Sequence, residues 1–392
     1  MHKLDLHVQN FLHFQSQVQK NQKKSKKPLK NVRFYYILYR ETLKICSLTK
    51  EGFLNMGKIL VTGGTGFIGS HTCIALLCAG YNIVVSDNLS RSSVESLARI
   101  QMITGTSPRF YNADVRDEAA MEQIFLDHEI DCVIHFAGLK AVSESVAMPL
   151  NYYNNNVYGT LQLLNVMNKA TCKRIIFSSS ATVYGGNASA PYNEDSPIEA
   201  VNPYGQTKVM TEQILRDICI SDPEWSVAAL RYFNPAGAHE SGLLGEAPFG
   251  TPSNLFPRLA IAALSRKNVM HIYGTDYSTP DGTAVRDYIH VMDVAEGHVA
   301  ALKKYSEKQN GFRTFNLGTG NGHSVYEVIH TYEEICGKKL QLHKEPRRCG
   351  DTAVSFAEVS RAKKELLWTA KADLRKMCED SWRFASRNPR GF

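Results

Sequence analysis

The chain has 392 residues, 43% apolar and 21% charged, the proportions of an ordinary globular protein with one large domain or two smaller ones. No apolar run reaches the ~18 residues of a membrane span. Nine scattered cysteines form no CxxC pair, which speaks against a disulfide scaffold or a zinc site and for a reduced, cytoplasmic setting.

The net charge of +7 is local. Residues 1–55 carry 11 Lys/Arg against 3 Asp/Glu, leaving 34 against 35 for the rest. A basic body that would bind nucleic acid is thereby excluded. The leader holds the run Lys20 to Lys27 and the aromatic stretch Phe34-Tyr35-Tyr36. It has neither the apolar core nor the small-residue cleavage site of a secretory signal. It reads as a disordered basic extension, possible to omit altogether because Met56 could start a complete protein. Nuclear import or membrane-surface binding stays open as a use of the basic run.

At Met56 the pattern changes. Lys58 to Thr62 is a short β-branched run ending in glycines and predicts a buried strand. Helical spacing follows from about Ile68 to Ala79, closed by Gly80. Further strands are predicted at 82–86, 109–112, 132–136, 174–178 and 227–231, with helical segments between most of them. Strand and helix in alternation predict an α/β fold, a Rossmann-type doubly wound parallel sheet. After about Asn234 the chain is richer in Pro and Gly. The expected division is therefore a leader at 1–55, a dinucleotide-binding domain at 56–235, and a smaller mixed α/β substrate domain at 236–392, with some segments interleaved.

Gly63, Gly66 and Gly69 lie three residues apart between a predicted strand and helix. Glycine allows the tight turn and close backbone approach to a pyrophosphate, which the helix N-terminus then faces with free N–H groups. Asp87 closes the second strand, near the ~20-residue offset of a carboxylate that takes an adenosine ribose. A carboxylate there repels a 2′-phosphate and favours NAD over NADP, with Arg91 as the nearby countervailing charge. A structural turn without cofactor is the alternative for the glycines alone.

Ser178-Ser179-Ser180 ends a predicted strand, and Tyr204 and Lys208 stand four apart at the start of a predicted helix. That spacing puts both on one helical face. A free phenol with pKa ~10 is a poor base at neutral pH. A nearby ammonium and a positive nicotinamide ring favour the phenolate. Such a set can take a hydroxyl proton while hydride leaves for the nicotinamide. Singly, Tyr204 after Asn202-Pro203 is also a turn aromatic and Lys208 a solvated helix residue.

These motifs resemble the extended short-chain dehydrogenase/reductase superfamily and, within it, the UDP-glucose 4-epimerase family. The resemblance runs from Met56 nearly to the last residue. Its landmarks are HFAGLKAVSESV at 135–146, FSSSATVYG at 177–185, NPYGQTK at 202–208 and RYFNPAGAH at 231–239. It continues with GTDYSTPDGTAVRDYIHVMDVAEGH at 274–298, FNLGTGNGHSV at 315–325 and PRRCGD at 346–351.

The resemblance implies that Tyr204 is the base at the C4 hydroxyl of a UDP-hexose, that Ser180 orients that oxygen, and that Lys208 holds the nicotinamide ribose and lowers the Tyr204 pKa. A 4-keto sugar would turn and receive the hydride on its other face. The cofactor implied is NAD, held by Gly63, Gly66, Phe67, Ile68, Gly69, Asp87, Asn88, Asp114, Val115, Phe136, Ala137, Gly138, Lys140, Asn155, Ser178 and Phe233 besides Tyr204 and Lys208. UDP-sugar contacts are implied at Ser180, Asn234, Asn254, Leu255, His271, Tyr273, Arg286, Arg348, Asp351 and Ser355. Arg286 and Arg348 present planar forks suited to a diphosphate; each also reads as a surface charge. The small Ser355, at a position where hexose-restricted family members can carry Tyr, implies room for an N-acetyl group. No metal, nucleic acid or membrane is implied, and a homodimer is.

Two other functions share the pattern. A 4,6-dehydratase or a UDP-glucuronate decarboxylase starts with the same half-reaction, but dehydratases carry Asp-Glu after the hydroxyl residue, where this chain has Ala181-Thr182. A non-catalytic cofactor-binding regulator is the second, and such proteins typically lack the Tyr or the Lys.

Overall fold

The computed structural model describes residues 57–185, 189–247, 250, 252–306, 310–348 and 351–392. The expected leader therefore lies outside the described residues. Those described all belong to one compact unit.

The first half alternates as read: β1 (Lys58–Thr62), α1 (Phe67–Cys78), β2 (Ile83–Asp87), α2 (Glu95–Thr104), β3 (Arg109–Asn112), α3 (Glu118–Asp127) and β4 (Ile130–His135). A short α4 (Val142–Ala147) leads into α5, which runs from Pro149 to Lys169 and widens to π-type hydrogen bonding over Tyr153–Tyr158. β5 (Arg174–Ser180), α6 (Pro203–Ser221) and β6 (Ser226–Tyr232) complete the alternation.

The strand order is β3-β2-β1-β4-β5-β6, extended at the far edge by β11 (Gly311–Leu317). Every pairing in this sheet is parallel. Its strands read as unbroken apolar runs because helices cover both faces. Along β1, Ile59 and Val61 enter one core and Leu60 the other. Along β4, Cys132 and Ile134 alternate with Val133 in the same way.

The sheet crosses the boundary expected at 235. Its seventh strand begins only at Gly311 and pairs with β6 from Gly311↔Ser226 to Leu317↔Tyr232. α8 (Val291–Ser306) likewise returns to pack Val294, Val299 and Leu302 into the core that holds α1. Some interleaving was expected, but composition could not say which segments return, because a strand added at a sheet edge has no local signature of its partner.

The remaining segments form a third core and three small sheets. α7 (Leu255–Leu264), β8 (Val269–Tyr273), α9 (Val325–Cys336), β13 (Gln341–Glu345) and α11 (Leu374–Arg387) bury Phe256, Leu259, Met270, Val328, Tyr332 and Met377 together. β8 pairs with β13; β7 (Asn234–Ala236) with β10 (Tyr288–His290); and β9 (Val285–Arg286) lies between β12 (His323–Ser324) and β14 (Val354–Ser355). α10 (Ser360–Glu365) precedes α11. Among the described residues no helix is long and apolar enough to cross a membrane.

Candidate active site

The sheet order reverses between β1 and β4, and in open parallel sheets ligands bind at that switch point, beyond the carboxyl ends of the strands. A cleft of about 1340 Å³ lies there. The Gly63–Gly69 turn forms one wall. Gly63 has φ +69°, and a Cβ on it would come 2.6 Å from the Ala137 nitrogen. One on Gly69 would come 2.3 Å from the Gly63 carbonyl. Strand ends and helix thus meet backbone to backbone. Gly66 takes the N-cap of α1 and supplies no side-chain acceptor to the first N–H groups. They remain for an anionic ligand.

Asp87 ends β2 beside this turn. Its Oδ2 accepts from the Thr65 N–H at 3.1 Å, and its Oδ1 from the Leu89 N–H and the Ser92 hydroxyl, both at 2.9 Å. The carboxylate is fixed in orientation, as a ribose acceptor must be. Arg91, the charge that would argue for a 2′-phosphate, is instead paired with Glu144. These features fit NAD.

α6 carries the reacting groups. Asn202 caps it by accepting from the Gly205 N–H at 2.9 Å, and Pro203 occupies the first turn. Tyr204 and Lys208 then project from one face. The Tyr204 phenol lies close enough to Ser180 for that residue to act on its titration. Ser180 also accepts from the Thr182 N–H at 3.2 Å and the Thr182 hydroxyl at 2.9 Å. The buried Lys208 ammonium donates to the Ser178 carbonyl at 2.6 Å and sits 5.8 Å from the Tyr204 ring centre.

Burial pushes the Tyr204 phenol up, with Ser180 acting the other way. Burial also brings Lys208 itself down to about 8, with the Glu212 charge acting the other way. A phenolate here depends on positive charge close by, and a bound nicotinamide ring adds to that of Lys208.

Every other expected site residue but one lines this cleft. The exception is Asp114, which stands one step behind. It is paired with Arg116 at 2.7 Å and receives the Asn88 side-chain amide at 2.8 Å, and Asn88 is the residue on the wall. On the opposite side, Asp351 lies between Arg348 at 2.9 Å and Arg286 at 3.9 Å. Tyr273 carries the Arg348 guanidinium 5.3 Å from its ring centre and the Arg258 guanidinium at 5.0 Å. His271 is held by Glu345 at 2.7 Å.

The profile of the NAD dependent epimerase/dehydratase family matches residues 59–318. The chain belongs to this family.

Among similar proteins, the UDP-glucose 4-epimerase of Bacillus subtilis is 55% identical over 334 residues, covering 85% of this chain and 98% of its own. The UDP-glucose 4-epimerase of Dictyostelium discoideum is 50% identical over 335 residues, 86% and 97% of the two chains. The crystal structure of UDP-glucose 4-epimerase from Bifidobacterium longum in complex with NAD+ and UDP superposes with a TM-score of 0.83 at 51% identity, covering 86% of this chain and all of that one.

Within this epimerase/dehydratase fold, several cleft residues escaped the sequence reading. Thr65 and Ser92 hold Asp87. Thr182 brackets Ser180, and Arg258 and Glu246 line the cleft. Behind the wall, buried Asn156 accepts from the Leu139 N–H at 2.8 Å and donates to the Leu139 carbonyl at 3.0 Å and the Thr207 hydroxyl at 3.1 Å. It ties the Phe136–Lys140 loop to α6. The π-type stretch that turns Asn156 inward, with Asn155 on the cleft, had no sequence signal beyond the run of three asparagines.

Proposed function

We propose that this chain is an NAD-dependent UDP-glucose 4-epimerase, inverting C4 of UDP-glucose and UDP-galactose in galactose metabolism. The observation that carries the reading is the convergence of Ser180, Tyr204 and Lys208 at the carboxyl ends of β5 and α6's first turns, beside the Gly63 turn. Bound NAD+ supplies a hydride acceptor at C4 and returns that hydride. Tyr204 takes the proton of the C4 hydroxyl and gives it back to the opposite epimer. Ser180, fixed by Thr182, holds the reacting oxygen in line with the phenol. Lys208, its ammonium steadied by the Ser178 carbonyl, would hold the nicotinamide ribose. Phe136, Ala137, Gly138 and Phe233 line the cleft and would border the nicotinamide. Arg286 and Arg348, already oriented by Asp351, hold the diphosphate while the sugar turns.

Among the described residues, four carboxylates stand on the cleft wall, Asp87, Glu144, Glu246 and Asp351, each already engaged by a cation or by N–H and O–H donors. None of these four stands beside Ser180 to run an elimination. The deciding experiment is incubation with UDP-glucose: an epimer has the substrate's mass, whereas a dehydratase product has lost water.

The space beside Ser355 supports N-acetylhexosamines as further substrates. Ser355 lies on β14 and faces the cleft. Phe356 follows it and turns the other way, toward the position of Gly322, as strand alternation requires. It does not refill the space.

Exposed Val146, Leu150, Tyr158, Leu161 and Met210 on α4, α5 and α6 support a homodimer through these neighbouring helices. A cytoplasmic location is supported by the cysteines, since Cys73, Cys132, Cys172 and Cys378 stand as free, buried thiols.

A further inference from the structure

Glu246 has no part in the chemistry above, yet it stands where the two sides of the cleft meet. Its side chain is only 10% exposed. One oxygen, Oε1, accepts from the Lys140 ammonium at 2.9 Å and from the Asn254 side-chain amide at 2.8 Å. Lys140 belongs to the loop after β4, and its ammonium is 5.9 Å from the ring centre of Phe67, the first residue of α1. Asn254 belongs to the sugar-nucleotide side. It occupies the N-cap of α7 but its side chain caps nothing there; the amide is spent on Glu246 instead.

The loop that delivers Glu246 is anchored at four consecutive carbonyls. Glu240 accepts from Arg383 at 3.0 Å, Ser241 from Arg387 at 2.6 Å, Gly242 from Asn388 at 3.0 Å and Leu243 from Arg99 at 2.6 Å. Gly245 follows, pressed so closely on α11 that a Cβ would come 2.4 Å from the Phe384 ring. The carboxylate is therefore placed by the fold and cannot simply swing out of the cleft.

A nearly buried carboxylate beside a diphosphate site opposes an anionic ligand unless a cation balances it. We infer that Glu246 is a positioning residue that couples the cofactor-side loop to the sugar-nucleotide site. Lys140 neutralises it, and in that state it aims the Asn254 amide without repelling the diphosphate. The inference rests on the proposed UDP-hexose reading for the identity of the ligand. A purely structural Glu246 would make no specific link between Lys140 and UDP affinity.

The test is a double-mutant cycle read as the UDP dissociation constant by calorimetry, with NAD saturating and its content measured in each protein. Lys140→Ala leaves Glu246 unbalanced and weakens UDP binding about tenfold. Adding Glu246→Gln, which keeps an acceptor for Asn254 but removes the charge, restores the constant to within about twofold of wild type. Glu246→Ala alone raises KM for UDP-glucose more than it lowers kcat. Equal weakening in Lys140→Ala and the double variant means that Lys140 acts on the ligand directly, and it overturns the coupling, as does an unweakened Lys140→Ala. A wild-type protein that does not bind UDP at all overturns the underlying reading as well, so the two failures are distinct.

Discussion

Arg231 and Glu212 form a two-pronged ion pair, Nε to Oε1 at 2.9 Å and Nη2 to Oε2 at 2.6 Å, with both side chains almost wholly buried. The same carboxylate accepts from the Ser179 hydroxyl at 2.5 Å, so β5, β6 and α6 are joined at one point. Glu212 lies on the α6 face that carries Tyr204 and Lys208, about two turns beyond the first and one beyond the second. The catalytic helix is thus locked in rotation by a pair that never touches the cleft.

Removing one partner strands a buried charge. Glu212→Ala should lose about 3–5 kcal/mol of unfolding free energy, measurable by denaturant titration. Replacing both partners by apolar residues of similar size should cost less than either single change. A single variant as stable as wild type would show that the pair does not hold the helix.

Glu212 also acts on the titration of Lys208. Burial lowers this lysine to about 8 and the Glu212 charge opposes that drop. A lowered lysine is charged below its pKa and loses the proton above it. Glu212→Gln therefore moves the deprotonation to lower pH. The alkaline limb of the kcat/KM profile should shift toward neutrality by the same amount; an unmoved or upward-shifted limb would separate Glu212 from Lys208.

Tyr204→Phe keeps the ring and removes the only atom that moves a proton. Turnover should fall by ~10²–10⁴-fold, while NAD content and UDP binding stay those of wild type. Turnover within about threefold of wild type would remove Tyr204 from the base role.

The cofactor released on denaturing the purified protein should be NAD. Asp87 is fixed by Thr65, Leu89 and Ser92, and Arg91 is taken by Glu144. Chromatography of the released nucleotide decides it, and predominant NADP would contradict the Asp87 assignment.

Ser355→Tyr should abolish turnover of UDP-N-acetylglucosamine before that of UDP-glucose, because a phenol overfills the space beside β14. The ratio of the two specificity constants, in both proteins, is the measurement. No N-acetyl turnover in wild type, or a ratio unchanged by the substitution, would show that Ser355 does not set the range.

Much of this site was legible in the chain itself. A strand that stops at Thr62 before Gly63 and a helix that opens on Phe67 are local events, decided by apolar runs, glycine and the N–H groups of a first helical turn. Tyr204 and Lys208 share a face because helical geometry fixes it. The sequence by itself thus determined the parallel sheet, the glycine turn with Asp87, and the Ser-Tyr-Lys set. Tertiary structure alone decided the seventh strand at 311–317, the retreat of Asp114 behind Asn88, the turning of Lys208 to a carbonyl, and the meeting of Glu246 with Lys140 and Asn254. These contacts join residues 8 to 106 positions apart in the case of Glu246. Hydrogen bonds and burial act through space, and a residue's partner across the fold leaves no mark on its own neighbours in the chain.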